Sequence, residues 1–354
     1  MQILLLTDML IETLITIILG SWLFVLGQRI GRIVLRNDVN TKDIFKGKIH
    51  LLIAFLFGYL GLLLLAFLVP ELPTLPVEWR FYSLRVTWTI IRLLLLFIGG
   101  IAFTISRYTS LIQVVGVILI CSLGLGSFTG IESYFISPIY ASLQDNLQPN
   151  GVFRQSSASS CAPSALATVL RIWGINATES SVARLAETSR LGTSMGQLLI
   201  AIRSFGMDGI ELETTWEQMQ LINRPGVLGV WFRDGDNVIP HAVALLGFNG
   251  NKAIIGEPTI GIINEIDRQQ FEKDWRKQYL PIFRPQDISI TASQAVSYLQ
   301  KLGDKIQGEA ELNSAINRFQ KNVGLQVTGK LDPQTVLLLS GSFLEGVPTL
   351  KGKS

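Results

Sequence analysis

The chain has 354 residues, of which 48% are hydrophobic and only 16% are charged, and its formal net charge is +3. This charge is small and no stripe of Lys and Arg with interleaved aromatic residues accompanies it, so we expect no nucleic-acid partner. The two cysteines of the chain are too few for a disulfide framework. Beyond residue 130 the soft metal ligands are Cys161 and His241 alone, so we expect neither a metal nor another cofactor.

Four apolar runs near the N-terminus predict a bundle of four transmembrane helices. They lie at about 3–26, 51–69, 86–105 and 111–128, and each is close to the roughly 20 residues that cross a bilayer. The first run has no basic n-region and no small-residue cleavage site, so we interpret it as a span and not as a signal peptide. The high mean hydropathy of +0.39 is therefore concentrated in a membrane anchor.

The charges of the connecting loops predict how the anchor is oriented. The loop between the first and second runs is strongly basic, with Arg29, Arg32, Arg36, Lys42, Lys46 and Lys48, and the short loop before the fourth run carries Arg107. The loop between the second and third runs mixes Glu71 and Glu78 with two arginines. The positive-inside rule puts the two basic loops in the cytoplasm, so the N-terminus and everything after residue 130 are expected outside it.

Residues 151–284 show helical periodicity first and strand patterns afterwards, which predicts an α+β domain. The predicted helices are 162–173, 180–187, 195–205 and 268–279, the last because Phe271, Trp275 and Tyr279 recur at four-residue spacing. The predicted strands are 227–232, 241–247 and 252–255. The last two flank an Asn-Gly pair, which is a strong hairpin signal.

Residues 292–344 have the pattern of a small all-α domain with three helices. Val296, Leu299 and Leu302 share one helical face, and a second face begins at Leu312. Asp332 and the following Pro are typical of an N-cap and a first helical position, so a last short helix is predicted there.

A polar, Ser-rich stretch leads into Cys161, and an apolar helical pattern begins directly after it. The N-terminus of a helix favours a thiolate through its unpaired N–H groups and its dipole. The base available beyond residue 130 is His241, at the predicted start of a strand, and Glu257 follows sixteen residues later, where the hairpin can return it to accept the His241 Nδ1–H. Gln155 and the backbone N–H of Cys161 are the candidate oxyanion donors.

Each of these residues has a plainer interpretation when it is considered alone. A cysteine at a helix start is often a small buried apolar residue, and a histidine at a strand end is often structural. The order of a Gln, a Cys at a helix start, a His at a strand start and an acid at a strand end favours a thiol catalytic site instead. In an oxidising space outside the cytoplasm, a lone thiol without a role would be a liability.

Residues 151–284 resemble papain-like cysteine peptidases of the double-glycine leader peptidase type, which process bacteriocin precursors. The matching parts are Gln155 before Cys161, the segment Ala162-Pro163-Ser164-Ala165-Leu166, and the run from Leu185 to Ser194 that ends in Gly192-Thr193-Ser194. The resemblance implies that Cys161, His241, Glu257 and Gln155 are catalytic. Two positions depart from the family pattern, since Ala162 stands for a Gly and Glu257 stands for an Asp.

Residues 292–344 resemble the peptidoglycan-binding domain found at the ends of many cell-wall hydrolases. The similarity lies in Phe319-Gln320, Gly324-Leu325, Thr328-Gly329 and Thr335. It implies peptidoglycan as a partner, and a wall-binding domain belongs outside the cytoplasm, as the loop charges independently predict.

The predicted architecture is multi-domain: an N-terminal four-helix transmembrane bundle over 1–130, an interfacial segment and linker over 131–150, an α+β papain-like domain over 151–284 and a three-helix all-α domain over 292–344. The predicted function is that of a multi-pass cell-membrane cysteine peptidase. Its partners would be the lipid bilayer, a peptide or protein substrate and peptidoglycan. Two alternatives remain open, an inactive papain-like fold that serves as a wall-tethered binding or assembly factor, and a thiol acyltransferase.

Overall fold

The computed structural model describes residues 2–37, 57–58, 60–61, 64–65, 68–69, 72, 75–108, 110–235 and 237–351. The chain forms two compact units, Met1–Ile136 and Ser137–Ser354. The first unit contains the apolar helices. The second contains the α+β domain and the C-terminal helices.

Three long helices are described in the first unit: α1 (Gln2–Asn37), α2 (Val77–Arg107) and α3 (Leu111–Ile131), which continues into a π-helical turn, Glu132–Ile136. Among the described residues, three helical segments are long and apolar enough to cross a membrane: Leu14–Ile33, Val86–Arg107 and Leu111–Ile136. The predicted span 51–69 lies largely outside the described residues. The described part of the chain therefore supports three spans, where the sequence predicts four.

Small residues let α1 and α2 approach backbone to backbone. A methyl group at Gly27 would overlap the carbonyl oxygen of Phe97, and one at Gly100 would overlap the carbonyl oxygen of Phe24. Such close crossings are typical of helices that pack in a membrane. The side chains of α3 are all at least partly exposed, so this strongly apolar helix presents a surface suited to lipid.

The second unit is built on one antiparallel sheet with helices around it. The helices are α4 (Cys161–Ile172), α5 (Glu179–Leu185), α6 (Met195–Ser204), α7 (Trp216–Ile222), α8 (Arg268–Asp274), α9 (Ala292–Lys301), α10 (Leu312–Asn322) and α11 (Pro333–Ser340). The strands are β1 (Asn146–Leu147), β2 (Phe153–Arg154), β3 (Asp208–Gly209), β4 (Leu212–Glu213), β5 (Gly226–Asp234), β6 (Asn237–Asn249), β7 (Lys252–Glu257), β8 (Ile262–Asp267) and β9 (Trp275–Phe283). The main sheet has the order β3-β9-β5-β6-β7-β8, β4 also pairs with β9, and β1 and β2 form a separate ribbon.

Alternate residues of β6 pack into two different hydrophobic cores. Ala242 and Ala244 of β6 pack in the core that contains α4. Val243 and Leu245 pack in a second core, together with Trp216 of α7. Because successive side chains of a strand point to opposite faces, the two cores lie on opposite sides of the sheet.

The prediction of a helix over 268–279 is wrong in its second half. The helix ends at Asp274, and the chain continues as strand β9. Tyr279 pairs with Leu228 of β5 and is fully buried. The aromatic spacing that suggested a helix is compatible with either structure, and pairing with β5 decides for the strand.

The strand that carries His241 is longer than predicted. It begins at Asn237, and its first four residues are exposed. They pair with the end of β5, from Val238 opposite Arg233 to Pro240 opposite Trp231. The prediction that His241 opens the strand is therefore wrong; His241 is instead its first buried residue, because the hairpin extends past the core.

The C-terminal helices do not form a separate body. Leu337 and Leu338 of α11 belong to the same core as Trp216 of α7. A methyl group at Gly341 would overlap the carbonyl oxygen of Leu221, so the two segments are in direct contact. We call residues 292–344 the C-terminal module.

A buried arginine lies at this junction. Arg224 is fully buried, and its Nη1 donates to the carbonyls of Ile222 and Leu337, at 3.1 Å and 3.3 Å. Its Nη2 donates to Ser340 Oγ at 3.2 Å. Burial lowers the pKa of Arg224 to about 10, against the opposing charge of Asp287. The module is therefore joined to the α+β domain by these hydrogen bonds as well as by the shared hydrophobic core.

Candidate active site

The serines before Cys161 form a hydrogen-bonded loop that positions the start of α4. Ser160 Oγ donates to the carbonyl of Ser157 at 2.9 Å and accepts from the Ser157 N–H at 3.0 Å. The fully buried carboxylate of Glu179 accepts from Ser156 N at 2.8 Å and from Ser156 Oγ at 2.5 Å. The loop is thus held by hydrogen bonds between its own serines and by the carboxylate of Glu179. Glu179 was not singled out from the sequence, where its place in the first turn of a helix gives no sign that it turns toward Ser156.

His241 and Glu257 meet, as the hairpin spacing predicts, but through the other ring nitrogen. His241 Nε2 lies 2.7 Å from Glu257 Oε1. An ionised carboxylate can only accept, so Nε2 is the donor. The prediction that Glu257 would accept the Nδ1–H is wrong, since the ring is turned so that Nε2 faces the acid. Nδ1 is then the ring nitrogen left for Cys161, whose side chain interacts with the imidazole and raises its pKa.

The neighbours of His241 favour its charged form. Burial lowers the pKa of His241, but the hydrogen bonds and charges of Cys161 and Glu257 outweigh burial and raise it to about 9. Burial also raises the pKa of Glu257, yet its hydrogen bond and charge interaction with His241 leave it below the ordinary value. An imidazolium–carboxylate pair beside the Cys161 side chain is therefore the stable arrangement at neutral pH. The two side chains are 7% and 13% exposed, so water screens the pair only weakly.

Thr259 completes the surroundings of this pair. Its backbone N–H donates to Glu257 Oε1 at 2.9 Å, and its Oγ1 lies 3.4 Å from His241 Nε2. On the other side the ring of Phe232 packs against the imidazole, with centroids 5.5 Å apart. Neither residue was predicted. Thr259 lies two residues past Glu257, in the turn after Pro258. Its nearness in sequence to the predicted acid is the one feature that could have indicated a place in the site.

Gln155 connects the loop before Cys161 to the segment that follows Glu257. Its backbone N–H donates to the carbonyl of Pro258 at 2.8 Å, and its Nε2 donates to the carbonyl of Ser157 at 3.0 Å. One amide hydrogen remains for another acceptor. Within the described part of the chain, its buried Oε1 has no hydrogen-bond partner.

The arrangement has the parts of a thiol nucleophile with a base and an orienting acid. Because Glu257 accepts from Nε2, Nδ1 is the ring nitrogen available to hold the proton of the Cys161 side chain. In the described ranges, no three His, Cys, Asp or Glu side chains lie close enough together to hold a metal ion. The fold and this site define a cysteine peptidase of the papain-like type.

Two family models match the second unit. The Peptidase C39 family matches residues 150–287, and a putative peptidoglycan binding domain matches residues 293–339. A protein of Methanothermobacter thermautotrophicus is 31% identical over 138 residues, which cover 38% of this chain and 90% of that protein. A protein of Methanothermobacter marburgensis is 33% identical over the same length and coverage. The chain belongs to the Peptidase C39 family, which confirms the resemblance drawn from its motifs.

Solved structures similar to this chain include two peptidase domains. One is the peptidase domain of Streptococcus ComA, a bi-functional ABC transporter involved in a quorum-sensing pathway, with 18% identity, a TM-score of 0.34 and coverage of 38% of this chain and 98% of that chain. The other is a double glycine motif protease from an AMS/PCAT transporter in complex with the leader peptide. It has 24% identity, a TM-score of 0.34 and coverage of 38% and 90%.

Proposed function

We propose that this chain is a membrane-anchored cysteine peptidase that acts outside the cytoplasm on peptide or protein substrates near the cell wall. The observation that carries the proposal is the position of His241 between Cys161 and Glu257. A buried imidazole that hydrogen-bonds a carboxylate through Nε2 and interacts with a cysteine side chain is suited to proton transfer.

In the proposed mechanism, Cys161 is the nucleophile. His241 Nδ1 holds the proton that Cys161 gives up, and the thiolate sulfur of Cys161 forms a bond to the carbonyl carbon of the substrate. The carbonyl oxygen becomes an oxyanion, which accepts from the Cys161 backbone N–H and the remaining amide hydrogen of Gln155. His241 then gives its proton to the leaving amine as the peptide bond breaks. Water, deprotonated by His241, hydrolyses the acyl-enzyme and restores the thiol.

The N–H of Cys161 is suited to this role by its place in the chain. Cys161 is the first residue of α4, and the first N–H groups of a helix have no partner within the helix. Glu257 keeps the His241 ring in the required tautomer and stabilises the imidazolium.

The replacement of an Asp by Glu257 does not argue for an inactive protein. The longer side chain still reaches His241 at 2.7 Å, and the Thr259 N–H holds the same oxygen. This contact favours an active peptidase over a binding or assembly factor. Transfer of the acyl group to an amine would use the same residues and the same acyl-enzyme, and it is the second candidate function.

Membrane anchoring and wall proximity are supported by the rest of the chain. The apolar helices of the first unit are suited to lipid, and the match of residues 293–339 to a putative peptidoglycan binding domain supports peptidoglycan as a partner. The peptidase would then act on the external side of the cell membrane, between the bilayer and the wall.

The full-length protein tests this proposal through the reactivity of its two cysteines. A thiol-directed peptidase probe should label the parent protein, and Cys161→Ala should abolish both labelling and peptide cleavage. Cys121→Ser is the matched control, because Cys121 lies in α3 of the first unit, and it should leave labelling intact. Labelling that persists in Cys161→Ala would refute the assignment of the nucleophile.

A further inference from the structure

The residues just ahead of the family-matched region are hydrogen-bonded to the loop before Cys161. We call residues 139–145 the lead segment and residues 155–160 the serine loop. The lead segment lies outside residues 150–287, which match the Peptidase C39 family. The backbone N–H of Gln144 donates to Ser156 Oγ at 3.0 Å. A part of the chain that the family match does not include therefore contacts the serine loop directly.

Ser156 is the residue at which these contacts meet. Its N–H and its Oγ donate to the two carboxylate oxygens of Glu179, at 2.8 Å and 2.5 Å. Because its Oγ also accepts from Gln144, Ser156 is held both by the lead segment and by the first residue of α5. Gln155, which carries the proposed oxyanion amide, directly precedes Ser156. The position of Ser156 therefore limits where that amide can lie.

The burial of Glu179 serves the serine loop more than it serves α5. A fully buried carboxylate is costly unless hydrogen bonds replace its water. The helix does not need Glu179 as its cap, because the Thr178 side chain accepts from the Ser181 N–H in a complete capping box. What the buried carboxylate adds is the pair of hydrogen bonds to Ser156.

Asp145 attaches the lead segment to the start of α5. Its Oδ1 accepts from the Ser180 N–H at 2.6 Å, and its Oδ2 accepts from Ser180 Oγ at 2.5 Å. Asp145 has φ of 53°, in the left-handed region, where residues other than glycine persist when surrounding contacts hold them. Since Ser180 directly follows Glu179, the contact fixes the lead segment relative to the carboxylate that binds Ser156.

A second route joins the lead segment to the other end of the serine loop. The Ile139 N–H donates to the carbonyl of Thr188 at 2.9 Å. Two residues further along, the carbonyl of Arg190 accepts from Ser159 Oγ at 2.8 Å. Ser159 lies two residues before Cys161. Both ends of the serine loop are thus connected to the lead segment, one directly and one through residues 188–190.

We propose that the lead segment positions the oxyanion donors of the peptidase, with Asp145, Ser156 and Glu179 as the positioning residues. They act through the ends of the serine loop, where the Gln155 amide and the Cys161 N–H lie. This role rests on the proposed function, because it concerns the oxyanion site proposed above. It adds a support that begins outside the region matched by the family.

A comparison of two reactions of Cys161 separates this role from a general loss of stability. Peptide cleavage passes through an oxyanion, whereas alkylation by iodoacetamide, in which the sulfur displaces iodide, forms none. Displaced oxyanion donors should therefore lower kcat and leave KM and the alkylation rate near the parent values. The measurements use the full-length Cys121→Ser protein, in which Cys161 is the one remaining thiol.

Ser156→Ala removes the hydroxyl at which the lead segment and Glu179 meet. We expect kcat to fall about tenfold to 100-fold, because outright removal of an oxyanion donor costs on the order of 10²–10³ and displacement costs less. Ser156→Thr keeps a hydroxyl at this half-buried position and should restore most of the lost kcat. If Ser156→Ala keeps the parent kcat, or if its alkylation rate falls by the same factor as kcat, the inference is refuted.

Asp145→Ala tests the lead segment itself. It should lower kcat in the same way, and Asp145→Asn, which keeps the shape of the side chain, should lie between Asp145→Ala and the parent. A double variant with Ser156→Ala should lose little more than the worse single variant, because both changes break one chain of contacts. Fully multiplicative losses would show that the lead segment acts independently of the serine loop, which contradicts the proposal.

Asp208→Ala is the matched control for Asp145→Ala. Asp208 also accepts from one backbone N–H, that of Gly209 at 2.9 Å, and from one side chain, Arg203 Nε at 3.1 Å, but it lies in β3. It should keep the parent kcat, and a loss equal to that of Asp145→Ala would overturn the inference.

The nucleophile test keeps this inference apart from the proposed function. Peptide cleavage that persists in Cys161→Ala would refute the peptidase assignment and the role of the lead segment with it. Cleavage that requires Cys161, together with a parent kcat in both Asp145→Ala and Ser156→Ala, would refute the role of the lead segment alone.

Discussion

Glu257 and His241 show how two residues can set each other's protonation state. The imidazole is buried and would by itself prefer to be neutral, yet the acid and the thiol raise its pKa to about 9. The additional methylene of Glu, compared with Asp, is accommodated because the Thr259 N–H anchors the carboxylate oxygen that faces the ring. The proposed site can therefore use the longer acid without losing the contact that orients the base.

The pH dependence of stability follows from the direction of these shifts. The pKa of His241 is above its ordinary 6.5, so its contribution is complete below about 6.5 and is lost as the pH rises through about 9. The pKa of Glu257 is below its ordinary 4.5, so its contribution is present above 4.5 and is lost as the pH falls through the lower folded value. The pair stabilises the fold most between about 4.5 and 6.5.

Glu257→Gln should lower kcat/KM and should shift the high-pH limb of its pH profile. Without the carboxylate charge, one of the two neighbours that raise the pKa of His241 is lost and that pKa falls, so the loss of activity at high pH should begin at a lower pH than in the parent protein. We expect kcat/KM to fall on the order of 10²-fold or more, the scale of a general-base contribution. The measurement is the pH profile of kcat/KM on a peptide substrate.

Glu265→Gln is the control for this change. Glu265 is an exposed residue of β8 whose nearest cation, Lys252, lies 4.0 Å away. It should keep the parent profile. A Glu257→Gln profile that coincides with that of the parent would mean that Glu257 does not orient His241.

At the level of elements, the contact between α7 and α11 depends on one residue without a side chain. Gly341 lies against the end of α7, and its carbonyl accepts from Asn223 Nδ2 at 2.8 Å. Asn223 itself adopts φ of 53° as the C-cap of α7, and its Oδ1 accepts from the Lys351 N–H. The end of α7 is thus the point where the C-terminal module and the final segment of the chain are both attached.

Gly341→Ala should destabilise this junction. The added methyl would overlap the carbonyl oxygen of Leu221, which is backbone and cannot rotate away. We expect a loss of about 2 kcal/mol in the free energy of unfolding, typical of overpacking at a close contact. Chemical denaturation, followed by tryptophan fluorescence, measures this because Trp216 packs in the adjoining core.

A matched glycine is available at Gly308. It has extended backbone, and a methyl group there would meet nothing within 4 Å. Gly308→Ala should leave the free energy of unfolding nearly unchanged. Equal stability of the two variants would show that α7 and α11 are not in close contact in solution.

Across the whole molecule, the direction in which the chain crosses the membrane decides what the peptidase can reach. The basic loop between the first two apolar runs predicts that everything after residue 130 lies outside the cytoplasm. A reporter that is active only in the external compartment should therefore be active when fused after Ser354. A fusion in the basic loop 38–50 should be inactive. The reverse pattern would invert the topology and would also conflict with a role at the wall.

The C-terminal module and the α+β domain form one unit, with a shared core and the buried Arg224 between them. A wall contact made by the module would therefore hold the proposed active site at a fixed position relative to the wall. This differs from a binding domain on a flexible linker, which allows the catalytic domain to search.

Local signals were sufficient for many elements. The Ser-rich approach with Cys161 at a helix start, the Asn-Gly hairpin and the Asp332-Pro333 start of α11 were all predicted, because caps and turns depend on neighbouring residues. The Peptidase C39 family and the peptidoglycan-binding similarity were also recognised from such short motifs. The identity of the partners His241 and Glu257 followed from the scarcity of histidine and the length of one hairpin.

What the sequence could not determine depends on contacts between distant segments. Pairing with β5 made residues 275–283 a strand, and the turn of the His241 ring toward Nε2 depends on where the backbone places Glu257 and Thr259. The attachment of Glu179 to Ser156 likewise joins segments that are far apart in the chain. Periodicity and spacing report what a segment buries, whereas only the packed fold fixes which atoms meet.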